Sequence, residues 1–481
     1  MQWRKTTFIG LAMLACNVVL GQAGPFRSQT ISPEQAQADL EVLRSLVAEV
    51  HPDPYRYLAE PELMAEFDRV KDSLERPLAV VHFRRLIMPL FRAVGDANFH
   101  PAATTAGPEA MRLPVKFALL ENGLFIEDES KGFRSLPKGG KVLSINGLPP
   151  DSAVARIRDF VVPEGANTTR QNALIASDFS ELFDLYVDQR TDFQVVCKAQ
   201  DGTIHDVQVN GMTANEVARS KRPQGITLMP WTSSLYADIS TQWLKLRTLD
   251  ADTLDMSGSN TERFLNAALK GSRRNSIRTL VIDLRGAGGR DLGMAEELFG
   301  LIAQEPYRVV QDMTVRCSKP PRNYALATPI PEFFEGLNEH YVSDGNGGMH
   351  LRRDDPRLAL LQPLSHSFNG HVYVVCDGLT RDAAAAFVML AKRSRRARIV
   401  GEEVGSNASS FTGGRELHVT LPNSEIAVQV PLTRYVPDGT PSGPLDRGEA
   451  PHHWVQPDPS VIARGGDTIK ERLLELIREL R

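Results

Sequence analysis

Two predominantly apolar runs, each followed by a helical pattern, limit the folds open to this chain more than any other feature. Thr279 to Asp283 reads TLVID and His371 to Cys376 reads HVYVVC. Runs of this kind predict strands that are buried on both faces, as in a parallel sheet. Strands and helices alternate around them, which predicts a layered α/β core. The pattern predicts strands at 279–283, 307–315, 371–376 and 398–401, and helices at 291–303 and 382–393.

The length of the chain, 481 residues, exceeds what one hydrophobic core supports, so two or three domains are expected. Residues from Ser32 to about Val94 show helical periodicity, and Ser32-Pro33-Glu34 has the form of a helix start. Further helices are predicted at 61–75 and 79–94.

Between about Pro114 and Asn210 the pattern changes to short strands, an Asn-Gly turn, a helix and a closing hairpin. This order is typical of a PDZ-like module, with residues 161–190 as an insertion. The predicted fold is therefore α/β and multidomain. The predicted segments are a signal peptide at 1–23, an N-terminal helical domain at 32–110, a PDZ-like β-rich domain at 111–215, a layered α/β core at 216–465 and a C-terminal helix at 466–481.

The N-terminus predicts export. Arg4 and Lys5 precede an apolar run over residues 8–20, and small residues follow at Gly21 and Ala23. This arrangement is typical of a secretory signal peptide, cleaved here after Ala23. A lipoprotein alternative at Cys16 is disfavoured because Met13 fits that pattern poorly. The expected location is periplasmic or extracellular, with no membrane span in the mature chain.

The composition gives no reason to expect nucleic acid, a metal or a cofactor. The formal net charge is −4, which favours neither a nucleic acid nor an anionic membrane as partner. His452 and His453 form the one close histidine pair, and neighbouring side chains on an extended segment point apart. Cys197, Cys317 and Cys376 each lie in or beside a strand pattern and are expected to be buried thiols, although one disulfide among them stays open.

Several segments, taken in order, resemble the tail-specific or C-terminal processing proteases, peptidase family S41, and in particular their exported bacterial branch. The resemblance implies a ClpP/crotonase-like protease core, serine-type peptidase activity and peptide or protein segments as substrates. It rests on LVIDLRGAGG at 280–289, RIVGE at 398–402, LPNS at 421–424, VQPD at 455–458, His51-Pro52 and Val94-Gly-Asp96.

Peptide hydrolysis by this route needs a nucleophilic hydroxyl, a base and backbone N–H groups that hold the oxyanion. The resemblance implies that Gly288 and Gly289 supply oxyanion donors and that Gly286 and Thr380 line the substrate site. A glycine-rich segment of this kind is also consistent with an ordinary tight turn between a strand and a helix.

The resemblance also shows where this chain departs from the family. Asp382 stands at the position of the catalytic serine, Asn98 at that of the histidine used by one branch, and Glu403 at that of the lysine used by another. A carboxylate is a poor nucleophile for amides, and an asparagine side chain cannot act as a base. As structural roles, Asp382 is expected to cap the helix that follows, or to be held by the amides of the glycine-rich turn.

Other groups offer alternatives. His100 is a possible substitute base, since it lies two residues beyond Asn98. Ser406, Ser409, Ser410 and Cys376 are alternative nucleophiles, and Asp382 with Glu402 or Glu403 could form an acid–base pair for another substrate. The sequence therefore favours a peptide-binding protein that has lost its protease activity, with an active serine endopeptidase using a relocated catalytic set as the alternative.

Overall fold

The computed structural model describes residues 29–102, 110–129, 136–221, 229–316, 319, 325–326, 331–345 and 347–479. The predicted signal peptide at 1–23, with Cys16, lies outside these residues, as does Cys317. Within the described part of the chain, no helix is both long and apolar enough to cross a bilayer.

The first unit is helical, as predicted. Its first helix begins with a capping box, because the Ser32 hydroxyl accepts the Gln35 amide and the Gln35 side chain accepts the Ser32 amide. Its last helix ends at Gly95, which adopts the left-handed conformation that favours glycine (φ +69°). The elements are β1 (Thr30–Ile31), α1 (Pro33–Ser45), a π-helical turn (Leu46–Val50), α2 (Glu60–Asp72), β2 (Leu78–Ala79), α3 (Val80–Val94) and β3 (His100–Pro101).

The second unit is a five-stranded antiparallel sheet in the order β4-β5-β6-β7-β8. Helix α5 occupies the stretch expected to be an insertion, yet its Ile175, Phe179 and Phe183 belong to the same buried core as the strands. This stretch is therefore an integral part of the unit. The elements are β4 (Val115–Leu120), β5 (Gly123–Glu129), β6 (Lys141–Ile145), α4 (Pro150–Arg158), α5 (Thr168–Tyr186), β7 (Asp192–Lys198), β8 (Ile204–Asn210) and α6 (Ala214–Lys221).

The third unit is the layered α/β core. The elements of its first half are β9 (Trp231–Tyr236), β10 (Thr241–Leu246), α7 (Ala251–Met256), α8 (Thr261–Arg274), β11 (Thr279–Asp283), α9 (Leu292–Gly300), β12 (Val310–Val315), β13 (Ala325–Leu326), α10 (Pro331–Phe334), α11 (Leu337–His340), β14 (Tyr341–Ser343) and β15 (Met349–Leu351). Those of its second half are β16 (His371–Cys376), α12 (Asp382–Arg393), β17 (Arg398–Gly401), β18 (Phe411–Thr412), β19 (Glu416–Thr420), β20 (Ala427–Pro431), β21 (Thr433–Pro437), β22 (His453–Trp454), α13 (Pro459–Ala463) and α14 (Thr468–Glu479).

Three sheets build this unit. The six-stranded sheet has the order β22-β17-β16-β11-β10-β9, and every pair in it is parallel except β10 with β9. A second sheet has the order β14-β15-β12-β21-β18, and a third the order β13-β19-β20-β3. Because β3 belongs to the third sheet, the end of the N-terminal unit is joined directly to the core.

The central strands β11 and β16 of the six-stranded sheet are buried on both faces, as their apolar runs predicted. Leu280 and Ile282 of β11 pack into the core that contains α9 and α12. Val281 points to the other face of the sheet and belongs to the core that contains α14. Burial of both faces explains why this strand reads as a continuous apolar run. Cys376 on β16 and Cys197 on β7 are buried thiols, as expected.

The register of the sheet positions the candidate site. Strands β11 and β16 are parallel neighbours, with Thr279 opposite His371 and Asp283 opposite Val375. Their carboxyl ends therefore meet at one edge, and the turns that follow them lie side by side.

Candidate functional site

The two turns that follow β11 and β16 are tied together by side-chain hydrogen bonds. The carboxylate of Asp377 accepts the amide of Gly286 at 3.0 Å, and the Thr380 hydroxyl donates to the carbonyl oxygen of Leu284 at 2.8 Å. Thr380 is fully buried, so its side chain is part of this framework. That burial does not fit the expected contact between Thr380 and a substrate. Gly286 has a φ of +71°, which suits the tight turn.

Asp382 is the first residue of α12 and has a left-handed backbone (φ +53°). The N-cap position belongs to Arg381, which makes no side-chain cap, so the expected capping role of Asp382 is wrong. The Asp382 carboxylate is buried, accepts Nδ2 of Asn98 at 3.3 Å and forms an ion pair with the Arg381 guanidinium. Its amide donates to the hydroxyl of Ser406 at 2.8 Å.

The glycine-rich turn does not hold this carboxylate. Among the hydrogen bonds of the described residues, the carbonyl oxygen of Gly289 accepts the amide of Ala383, and neither Gly288 nor Gly289 donates to Asp382. The guanidinium of Arg381 lies against Gly288, where a Cβ atom would stand 3.0 Å from its Cζ atom. The space beside the predicted oxyanion donors is thus occupied by a side chain of the protein.

Asn98 is fixed by a buried network at the end of the N-terminal unit. Its Nδ2 donates to the carbonyl oxygen of Thr412 at 2.9 Å, and its amide donates to Asp96 at 2.8 Å. The Thr412 hydroxyl also donates to Asp96, and Nε2 of the fully buried His51 lies 3.0 Å from the same carboxylate. Burial works to raise the pKa of Asp96, but His51, Thr412 and the Asn98 amide together hold it below its usual range.

Further charges surround Asp382. Arg170 lies on α5 and is buried. Its Nε atom has no hydrogen-bond partner among the described residues. Burial is the main cause that lowers the pKa of Arg170, and the positive charge of Arg381 adds to it. Burial, followed by the negative charge of Asp382, raises the pKa of Glu416 to about 6. Asp382 is therefore flanked by two arginines and has a carboxyl group with a raised pKa in its neighbourhood.

Glu403, which the resemblance places at the position of the family's lysine, forms its hydrogen bonds with residues other than Asp382. Its carboxylate pairs with the Arg447 guanidinium at 2.6 Å, accepts the Gly448 amide at 2.7 Å and accepts the Thr169 hydroxyl at 3.2 Å. Burial raises the pKa of the neighbouring Glu402 to about 7, but no hydrogen bond between described residues links Glu402 or Glu403 to Asp382. The geometry does not bring these carboxylates together as an acid–base pair.

His100 contacts the backbone of its own strand. It lies on β3 opposite Gln429, and its Nδ1 is 3.1 Å from the carbonyl oxygen of Pro101. That contact places a proton on Nδ1, and burial lowers the pKa of the ring. No hydrogen bond or ion pair within the described ranges joins His100 to Asp382.

The alternative nucleophiles differ in position. Ser406 is buried beside the Asp382 amide. The Ser409 hydroxyl donates to the carbonyl oxygen of Leu445, and the Ser410 hydroxyl accepts a hydrogen bond from Nε of Arg434. Burial raises the pKa of Cys376 well above its ordinary value, which leaves its thiol protonated and inert.

Sequence reasoning missed three charged residues of this site: Arg381, Arg170 and Glu416. The position of Arg381 directly before Asp382 was the one available signal. Arg170 and Glu416 belong to distant segments, and nothing in their local sequence links them to Asp382.

Comparisons with known proteins agree with the geometry of the core. A model of peptidase family S41 matches residues 244–446. Mature CPAF in complex with lactacystin matches with a TM-score of 0.67 and 15% identity, over 93% of this chain and 98% of that chain. A second structure of mature CPAF gives 0.63 and 14%, over 92% and 96%. The photosystem II D1 C-terminal processing protease gives 0.42 and 14%, over 90% and 98%. No curated protein sequence gives a significant match.

Proposed function

We propose that this chain, which belongs to peptidase family S41, is an exported protein that binds peptide or protein segments and has lost its family's proteolytic chemistry. The observation that carries the proposal is the pairing at the head of α12. The buried carboxylate is Asp382, which the resemblance assigns to the position of the family serine, and Asn98 is its neighbour at 3.3 Å.

The arrangement lacks both partners of an acyl transfer. A carboxylate that is paired with Arg381 is a weak nucleophile, and Asn98 donates its side-chain amide hydrogens instead of accepting a proton. The Arg381 side chain fills the space beside Gly288 that an oxyanion would need. These features together support a site that does not cut peptides.

The second unit supports peptide binding. Its sheet has β4 and β8 as edge strands, and β8 has exposed residues along most of its length, with Ile204 55% exposed. Exposed strand edges accept extended peptides by backbone hydrogen bonds. In our proposal, this unit is a PDZ-like domain that takes an extended segment of a client protein.

A second candidate function is an active peptidase that uses Ser406. The specific observation in its favour is the position of this buried hydroxyl, 2.8 Å from the Asp382 amide at the head of α12. Against it, no histidine or lysine is hydrogen bonded to Ser406 within the described residues. Without a base, the hydroxyl remains a weak nucleophile.

The two candidates are separated by measuring binding and cleavage in the same preparation. The purified protein is incubated with unfolded, fluorescently labelled casein, and anisotropy and gel electrophoresis are followed together. We expect saturable binding without fragments, and no labelling by a fluorophosphonate probe. Ser406→Ala serves as the matched variant and is expected to change neither result.

Robust fluorophosphonate labelling that disappears in Ser406→Ala would establish the active peptidase and remove our proposal. Absence of both binding and cleavage would contradict the peptide-binding part. Slow cleavage that survives in Ser406→Ala would point to a contaminating protease, which a repeat purification identifies.

A further inference from the structure

A cavity lies at the opposite end of the six-stranded sheet from Asp382. Its volume is about 610 Å³, within the range of small-molecule sites. The residues that line it include His371, Tyr373, Arg395, Arg396, Arg398 and His452. They include the first residues of β16 and β17, whereas the candidate site follows the last residues of β11 and β16. The cavity is therefore separate from the site described above.

The lining is strongly basic. It contains three arginines and two histidines, and none of its residues is acidic. Two carboxylates of the described residues act on lining residues through their charge, and both lie outside the lining. Glu449 is buried in ion pairs with Lys392 and Arg393, and Glu479 acts on Tyr373 only through its charge. The guanidinium charges of the cavity thus have no counter-ion among the residues that line it.

The arginines differ in how they are held. Arg396 donates to the carbonyl oxygens of Ile302, Phe368 and Gly370, which fixes its guanidinium at the wall. Arg395 and Arg398 are exposed, and their side chains make no hydrogen bond or ion pair with other described residues. Arg395 has a left-handed backbone (φ +58°) where the chain leaves α12. Two guanidinium groups therefore remain available to a ligand beside one that is fixed.

His452 adds a neutral donor. Its Nδ1 accepts the amide of Ile399 at 2.9 Å, so the uncharged ring carries its proton on Nε2. Burial, followed by the positive charges of Lys392 and Arg398, lowers the pKa of this ring and keeps it neutral.

We infer that this cavity binds a small organic molecule through a phosphate monoester group. A phosphate dianion offers three oxygens, which matches several convergent guanidinium and imidazole donors better than the two oxygens of one carboxylate. The volume exceeds what a phosphate group fills, so the cavity leaves room for an organic substituent beside the guanidinium groups. The cavity is a ligand site that is independent of peptide binding.

The test is isothermal titration calorimetry of the full-length protein with phenyl phosphate at low salt and about pH 7.5, where the phosphate is a dianion. Inorganic phosphate and benzoate are titrated in parallel, the first to remove the organic part and the second to replace the phosphate by a carboxylate. We expect phenyl phosphate to bind about tenfold tighter than either, and the double variant Arg395→Gln/Arg398→Gln to lose about tenfold or more.

The matched control is Arg273→Gln/Arg274→Gln, which removes the same charge from two exposed, adjacent arginines at the end of α8. It is expected to bind phenyl phosphate like the unmodified protein. The proposal is overturned if phenyl phosphate does not bind, if inorganic phosphate or benzoate binds equally well, or if the control weakens binding as much as the double variant does. Unchanged binding in the Arg395/Arg398 variant also overturns it.

Discussion

Asp382 occupies a conformation that its own chemistry does not favour. A left-handed backbone costs a residue other than glycine roughly 1 kcal/mol, and a buried carboxylate needs partners. Both costs are offset by local contacts, because Arg381 pairs with the carboxylate and the side-chain Nδ2 of Asn98 donates to it. Gly413 permits the close approach, since a Cβ atom there would lie 3.0 Å from Nδ2 of Asn98. The site is therefore built around the carboxylate.

The first prediction concerns restored chemistry. Asp382→Ser alone should remain unlabelled by a fluorophosphonate probe, because Asn98 supplies no base. The double variant Asp382→Ser/Asn98→His places an imidazole where Asn98 now reaches residue 382 at 3.3 Å, so labelling should become detectable. In-gel fluorescence measures both variants against the unmodified protein. Equal labelling of the single and double variants would show that another group acts as base.

The second prediction concerns the charge of Asp382. Asp382→Asn keeps the shape of the side chain and tolerates the left-handed backbone, but leaves Arg381 and Arg170 without this anion. We expect the free energy of unfolding to fall by roughly 2 kcal/mol, measured by urea denaturation. The control is Asp159→Asn, which removes an exposed carboxylate paired with Arg92 and should cost less than about 1 kcal/mol. Similar losses in both variants would mean that Asp382 has no special structural role.

At the scale of elements, the turn after β11 depends on how closely it approaches the segment that follows β10. A Cβ atom at Gly289 would lie 2.2 Å from the carbonyl oxygen of Leu249, whereas none would be obstructed at Gly286. The amide of Leu249 donates to the carbonyl oxygen of Gly288 at 2.7 Å, which fixes this approach. The two positions thus require glycine for different physical reasons: close contact at Gly289 and backbone conformation at Gly286.

The third prediction follows from that difference. Gly289→Ala should lower the free energy of unfolding by about 3 kcal/mol, because the backbone at Leu249, after β10, or that of the turn must shift. Gly286→Ala, the matched control, should cost only about 1 kcal/mol for its left-handed φ of +71°. Thermal and urea denaturation measure both. Equal costs would show that the turn relaxes freely and does not depend on contact with Leu249.

The bounds of several helices and strands could be predicted from the sequence. The bounds of β11, β16, α12 and β17 agree with the predicted 279–283, 371–376, 382–393 and 398–401, because buried runs and an alanine-rich helix carry strong periodicity. The third sheet, which joins β3 to β19 and β20, was not predicted, since pairing between distant strands leaves no local pattern. Arg170 was also missed, because it lies on α5, in a stretch that was interpreted as an insertion.

The roles of single side chains were harder to predict than the elements. The resemblance to family S41 placed Asn98 and Asp382 at equivalent catalytic positions, and the structure puts them in contact. It could not show that Arg381 fills the space beside Gly288 or that Arg447 engages Glu403, because both depend on side-chain direction. Family patterns fix backbone positions, whereas partners of charged groups emerge only from packing.

At the scale of the whole molecule, three units contribute to one ionic cluster. The N-terminal unit supplies Asp96 and Asn98, α5 of the second unit supplies Arg170, and α12 of the core supplies Asp382. Glu164, on the segment before α5, joins the same cluster: its carboxylate accepts the Ala97 amide at 3.1 Å and the Tyr57 hydroxyl at 3.2 Å. Burial, followed by the charge of Asp96, raises the pKa of Glu164 to about 7.

The last prediction is a pH dependence carried by Glu164. Between its ordinary pKa of 4.5 and about 7, the folded protein holds a proton on this group that the unfolded chain has released. The contribution of protonated Glu164 to the free energy of unfolding is therefore present at low pH and is lost as the pH rises through this window. Urea denaturation between about pH 5 and about pH 8 should show a loss on the order of 2 kcal/mol that Glu164→Gln removes. Glu305→Gln, at an exposed position, should leave the pH profile unchanged. If Glu164→Gln keeps the slope of the unmodified protein, the contacts between units do not depend on this proton.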